Sequence, residues 1–223
     1  METAKIYNVI ILDKSGSMSS IGKEAVDSVN ETLGAIRSTA RKNPDCKQYV
    51  SIVAFCGCEL KHFYTNTIID EVRNIKPHQY VPCCNTPLYD AVGDTIVKLH
   101  EAISAEENAT ASITIITDGY ENSSREFSGR AVKALIESYK KEGWMFAYIG
   151  ADHDVEAVAY SLAIDNKMEF DKSASGVHAM SQKLSKAFSG WTESVAEPMC
   201  NPSLSAEEKK SILREKAGKF FDM

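Results

Sequence analysis

Short β-branched runs, too apolar to face water, alternate along this chain with longer segments of helical period. Ile6 to Leu12 (IYNVIIL) is continuous, the pattern of a strand covered on both faces. Gln48–Phe55, Ser112–Thr117 and Trp144–Ile149 repeat that texture. Between them lie segments with apolar residues three and four apart. Lys23–Ala40 carries Val26, Val29, Leu33 and Ile36; the segment from Pro87 to about Ile103 carries Leu88, Ala91, Val92, Ile96 and Leu99. Ser128 reads as the N-cap of a helix to about Lys141 with Gly143 as its stop, and Val155–Leu162 and Ser173 to about Trp191 read as further helices. Glu59–Tyr64, one Cys-Gly-Cys turn after the second strand, predicts a hairpin partner, and Met168–Phe170 a short edge strand. Such alternation predicts an α/β fold: a three-layer α/β/α sandwich whose central sheet is mostly parallel with one antiparallel strand.

Composition narrows the function classes. The 223 residues are 43% hydrophobic and 25% charged, ordinary globular usage that excludes disorder and fibrous repeats as the main content. Acidic residues outnumber basic ones 31 to 25, for a formal charge of −6. That balance argues against a nucleic-acid binder and for a cationic partner or a metal ion. The short apolar run before Asp13 carries no cleavage-site pattern, and no stretch approaches the roughly 18 apolar residues of a membrane span. The expectation is a cytoplasmic protein whose six cysteines are reduced thiols.

In open α/β sheets, ligands sit beyond the carboxyl ends of the strands. After the first strand comes Asp13-Lys14-Ser15-Gly16-Ser17, with oxygen side chains at alternate positions; after the Ser112–Thr117 strand comes Asp118-Gly119. Between them, Thr86 precedes Pro87-Leu88-Tyr89-Asp90 at a helix start. Two carboxylates and three hydroxyls, without imidazole or thiolate, describe a site for a hard cation: Mg²⁺, with Mn²⁺ as the next choice. Taken singly, each piece is an ordinary turn or cap.

Asp13-x-Ser15-x-Ser17, Thr86 in a Thr-Pro-Leu-Tyr-Asp-Ala context, and Thr117-Asp118-Gly119 resemble the metal-ion-dependent adhesion site of von Willebrand factor type A domains. The similarity covers roughly residues 5–190. It implies that Ser15, Ser17 and Thr86 bind the metal through hydroxyls, and that Asp13 and Asp118 bind directly or through water. It also implies a protein partner that offers an Asp or Glu to the metal, and an affinity switch coupled to a C-terminal helix, here Ser173–Trp191. The expected function is therefore a Mg²⁺-dependent protein-binding adaptor and not an enzyme. The alternative is a Mg²⁺-dependent phosphohydrolase using Asp13. Against that alternative, neither a phosphate loop nor a nucleophile elbow is present, and Lys14 is expected to point away from the Ser15 and Ser17 side chains.

Other signals are weaker. Cys56-Gly57-Cys58 and Cys83-Cys84 fall on the same sheet edge if the second strand runs parallel to the first, and four sulfurs there would suit zinc or a redox pair. Their spacings are not those of zinc knuckles, so small apolar packing residues are the expectation. Asp90 reads as an acid favoured by its helix dipole, Asp94 as solvated, and His153 as a surface residue at a helix start. The type A body is assigned to residues 1–195. Residues 196–223 read as a linker at Pro198, Asn201 and Pro202, then a short charged helix opened by the capping box Ser205-x-x-Glu208. Ile212, Leu213, Phe220 and Phe221 on that segment need an apolar surface to cover them.

Overall fold

The computed structural model describes residues 3–106 and 108–223. Six strands form one sheet: β1 (Ala4–Asp13), β2 (Cys46–Cys56), β3 (Glu59–Ile68), β4 (Ala109–Thr117), β5 (Met145–Gly150) and β6 (Asn166–Glu169). Their spatial order is β3-β2-β1-β4-β5-β6. Among the described residues only the β2–β3 hairpin is antiparallel, and every other pairing is parallel. The three-layer sandwich expected from the alternation of runs is the observed architecture.

The β1 residues divide strictly between its two faces, because successive side chains of a strand point in opposite directions. Ile6, Ile10 and Leu12 pack under α1 (Gly22–Lys42) and α5 (Ala174–Cys200), while Tyr7, Val9 and Ile11 pack under α2 (Leu88–Ile103), α3 (Gly129–Lys141) and α4 (Val155–Ser161). Asn8 interrupts the apolar face without an unpaired group. Its amide donates to Gln48 Oε1 at 2.8 Å, its carbonyl oxygen accepts from Ser112 Oγ at 3.0 Å, and Gln48 donates onward to Thr192 of α5 at 3.3 Å. A satisfied polar chain of this kind costs little and fixes the register of β4, β1, β2 and α5 together.

Several elements extend further than their periodicity suggested. The β3 strand continues to Ile68, since an antiparallel edge needs only one covered face. Pro87 caps α2 one position ahead of the first helical turn. At the end of α3, Gly143 adopts φ +87°, and a Cβ there would lie 2.7 Å from that of Leu213, so the helix stop is also a docking point for the tail.

The C-terminal segment shows the largest difference from expectation. Past Trp191, α5 runs on to Cys200 with Pro198 in its last turn, where the proline removes a single amide. The Ser205–Glu208 capping box opens α6 (Ala206–Ala217) as expected. This helix and the turn after it lie on the body: Leu213, Ala217 and Phe220 are buried in the core under α5, with Phe188 and Phe220 in an edge contact at 5.4 Å between ring centres. Buried Asn166 on β6 fastens the same segment, donating to the Ala217 carbonyl at 2.7 Å and accepting from Phe220 N at 3.0 Å. No helix among the described residues is long and apolar enough to cross a membrane.

If residues 206–223 stabilise the body, Phe220→Ala will lower stability by about 3–5 kcal/mol, the range for a fully buried aromatic. The urea midpoint should fall with the slope unchanged; an unaltered midpoint would mean that the tail is undocked in solution.

Candidate metal centre

The sheet order changes direction between β1 and β4, and a crevice opens at such a switch point beyond the carboxyl ends of the strands. Asp13 closes β1 and Asp118 follows β4, so the two carboxylates stand on either side of that crevice. Asp13 is fully buried. Its Oδ1 accepts from Ser15 N at 2.7 Å and its Oδ2 from Thr117 Oγ1 at 2.6 Å, while Tyr80 OH donates to its main-chain carbonyl. Burial pushes the Asp13 carboxyl above its usual range, opposed by those hydrogen bonds and reinforced by the nearby Asp118 charge.

The Asp13–Ser15 bond bends the chain into a short 3-10 turn, Gly16–Ile21, that aims the two serines across the crevice. Ser15 Oγ lies 3.1 Å from Ser17 Oγ, and Ser17 Oγ donates to Asp118 Oδ1 at 2.6 Å. A Cβ placed on Gly119 would be 3.9 Å from both Ser17 Oγ and Thr86 Oγ1, with nothing closer. The space over Gly119 is therefore an open cradle bordered by the two hydroxyls. All five residues singled out from the sequence (Asp13, Ser15, Ser17, Thr86 and Asp118) face this one crevice. Lys14 turns the other way, buried and ion-paired with Glu59 of β3.

Two carboxylates outside the crevice hold its far wall. Asp90 is more than a dipole-favoured acid at the α2 start: its carboxylate accepts from Arg125 N at 2.7 Å and from Glu126 N and Phe127 N at 2.8 Å. Burial works against its charge, yet the amides of Phe127, Arg125 and Glu126 outweigh it and hold the carboxyl below its usual range. Glu121 accepts from Ser123 N and Ser124 N, both at 2.7 Å, and from Tyr89 N at 2.9 Å at the start of α2. Thr86 is gripped reciprocally, its N donating to Asn122 Oδ1 at 2.8 Å and its carbonyl accepting from Asn122 N at 3.1 Å. Asp94 is ion-paired with Lys98 at 2.9 Å. His153 is buried, not on the surface, because Tyr120 covers it while Tyr148 OH lies 2.9 Å from its Nε2 and Ala151 O lies 2.6 Å from its Nδ1.

The sequence reading missed Lys172 and Asp152. Lys172 follows β6 and directly precedes Ser173, the N-cap of α5. Its ammonium lies 2.5 Å from Asp118 Oδ2 and 3.3 Å from Asp152 Oδ2. Asp118 Oδ2 is buried and accepts no hydrogen bond of ordinary geometry, so this ion pair is what compensates it. Burial disfavours the Lys172 charge, but Asp118 and Asp152 outweigh it and hold the ammonium above its usual range. The only signal in the sequence was position: Asp171-Lys172 stands at the carboxyl end of an edge strand.

Three carboxylates (Asp13, Asp118 and Asp152) and one ammonium give the crevice a formal charge of −2. Its donors are all oxygen, its hydroxyls point inward over an open cradle, and the buried Asp118 Oδ2 is aimed at a cation. The residues fit a hard dication. Replacing Lys172 by Met removes the competing ammonium and should tighten Mg²⁺ binding about tenfold by calorimetry, while lowering the melting temperature in EDTA. Unchanged Mg²⁺ affinity would mean that the ammonium does not occupy the cation's ground.

No family model matches the sequence, and no curated protein matches it. Solved structures match in shape. The pilus adhesin SpaC from Lactobacillus rhamnosus GG is 13% identical with a TM-score of 0.61, over 85% of this chain and 30% of the adhesin. Proximal thread matrix protein 1 from the mussel byssus is 13% identical with a TM-score of 0.55, over 84% of this chain and 47% of its own. The manganese-loaded TRAP protein of Plasmodium vivax is 15% identical with a TM-score of 0.53, over 84% of this chain and 73% of its own. The chain thus spans less than half the length of the first two. Identities at this level show a shared fold alone, and the fold they support is von Willebrand factor A-like.

Proposed function

We propose that this crevice holds Mg²⁺, or Mn²⁺ in its place, and that the chain is a cytoplasmic protein-binding module whose partner supplies an Asp or Glu. The observation that carries the reading is Asp118. Its carboxylate is buried, one oxygen takes the Ser17 hydroxyl, and the other is compensated only by a cation. Ser15, Ser17 and Thr86 would hold the metal through neutral hydroxyls, with Asp13 and Asp118 behind them. When bound, such a dication supplies an uncancelled positive centre for an external carboxylate, because neutral ligands leave its charge largely intact.

The surroundings suit a macromolecular partner. Val81 and Tyr120 are two of the exposed large apolar side chains. Tyr120 directly follows Gly119. Val81 begins the segment that Cys83 N and Gly16 N fasten to the Asp13–Ser17 loop. An acidic group flanked by apolar surface is the complement of this rim. Phosphoryl transfer through Asp13 is less well supported. Both carboxylate oxygens of Asp13 already accept hydrogen bonds, and the lysine beside it is committed to Glu59. The partner therefore binds here without being transformed.

Mg²⁺ at a hundred times its dissociation constant should raise the melting temperature by on the order of 5–10 °C relative to EDTA. Ser17→Ala and Asp118→Asn should lose that increment. With the full chain as bait, protein partners should be retained in Mg²⁺ and released in EDTA; equal retention in both would sink the metal-dependent mechanism.

A further inference from the structure

The parallel β1–β2 pairing places both cysteine pairs on the crevice edge, where they meet. Cys56 Sγ lies 3.4 Å from Cys83 Sγ, and Cys58 is disulfide-bonded to Cys84, a pair expected from the sequence to be thiols. The ligand atoms of Cys56, Cys58 and Cys83 all lie within 4.8 Å of one another. Three sulfurs thus gather in one place, and the disulfide ties a fourth, Cys84, to them from a loop 26 residues beyond Cys58.

Packing does not account for this gathering. Cys56 is buried, but Cys58 and Cys84 are exposed and gain nothing as small apolar residues. The other two cysteines behave differently. Burial pushes the Cys46 thiol up to about 12, and Cys200 donates to the Asp45 carbonyl. We propose that Cys56, Cys58, Cys83 and Cys84 form a mononuclear tetrathiolate Zn²⁺ site, of which the Cys58–Cys84 disulfide is the oxidised form.

The geometry supports one ion. Thiolates bound at about 2.3 Å at tetrahedral angles lie roughly 3.8 Å apart; the sulfurs of Cys56, Cys58 and Cys83 already fall within 4.8 Å of one another, and Cys84, held to Cys58, is the fourth ligand once reduced. The chemistry balances with a dithiol reductant. It gives two electrons and two protons to the Cys58–Cys84 bond and leaves as its own disulfide. The four resulting thiols release four protons as Zn²⁺ binds, giving a site of charge −2. The Lys14 ammonium, buried beside Cys56 and Cys83, offsets part of that charge. The exposed Cys58 and Cys84 provide the entry path, half-buried Cys83 a wall and buried Cys56 the floor.

The site braces the neighbouring crevice. Cys83 N donates to the Lys14 carbonyl at 2.8 Å, Gly16 N to the Cys84 carbonyl at 3.0 Å, and Gly57 N to the Asn85 carbonyl at 2.8 Å. The residues just before Thr86 are therefore stitched to both the Asp13–Ser17 loop and the β2–β3 turn. Cys84 is held in the left-handed region, at φ +62°, a conformation that needs such restraint.

Co²⁺ is the probe. The full chain, reduced with a phosphine, freed of metal and held in excess Mg²⁺ to fill the oxygen site, should bind one Co²⁺ at the sulfurs with a thiolate-to-metal charge-transfer band and the visible bands of a tetrahedral ion. One equivalent of Zn²⁺ should bleach them. Cys58→Ser with Cys84→Ser, both exposed and expected to fold, should lose the charge-transfer band while circular dichroism stays unchanged. Asp118→Asn, which removes the hard-cation site, should leave the cobalt spectrum intact, so failure of either site is seen separately. Absence of a charge-transfer band in the reduced wild-type chain, or its persistence in the double variant, would overturn the proposal.

Discussion

Everything at the working edge depends on the parallel pairing of β1 with β4, Lys5–Leu12 against Ala109–Ile116. That register brings the ends of both strands to the same level and sets Asp13 and Asp118 across one crevice. Two carboxylates so close would repel each other, and the fold answers with compensation from every side. Asp13 receives an amide and a hydroxyl, and Asp118 receives a hydroxyl and an ammonium. The crevice is thus built as a place where positive charge is wanted, and Lys172 supplies part of it from within the chain.

The same economy recurs one shell out. The loop after Asp118 has no secondary structure of its own until α3 begins, yet it is ordered because Asp90 and Glu121 gather its amides and those of the α2 start. Carboxylates that accept several main-chain amides act as rigid fasteners, since each charge-assisted bond is stronger than its neutral counterpart. The hydroxyls of Ser15, Ser17 and Thr86 consequently stand on restrained backbone. Lys172 extends the coupling to α5, the longest helix, whose N-cap is the next residue.

Much of this was legible in local pattern. Strand runs buried on both faces, helical periodicity and caps at Ser128 and Ser205 were all readable, because they depend on neighbours within a turn or two. So was the oxygen-rich character of the loops at Asp13, Thr86 and Asp118, given the rule that open sheets bind at their carboxyl edges. The end of α5 was misread at Pro198, where packing against the core outweighs the single amide that proline removes. Asp90 stands in the first turn of α2 as expected, but its further partners, Arg125 to Phe127, were not foreseen because they are distant in sequence. His153 was placed on the surface because nothing local reveals that Tyr120 folds over it.

The sequence by itself determined the layers, the parallel character of the sheet and the chemical kind of the candidate site, since these follow from side-chain period and donor type. Only the tertiary structure decided which charges and sulfurs would meet: Lys172 with Asp118, Asn166 with the tail, and the four cysteines with one another. Those meetings depend on strand order and on where long connections return. They are set by burial summed over the whole core, and no short window of residues contains that information.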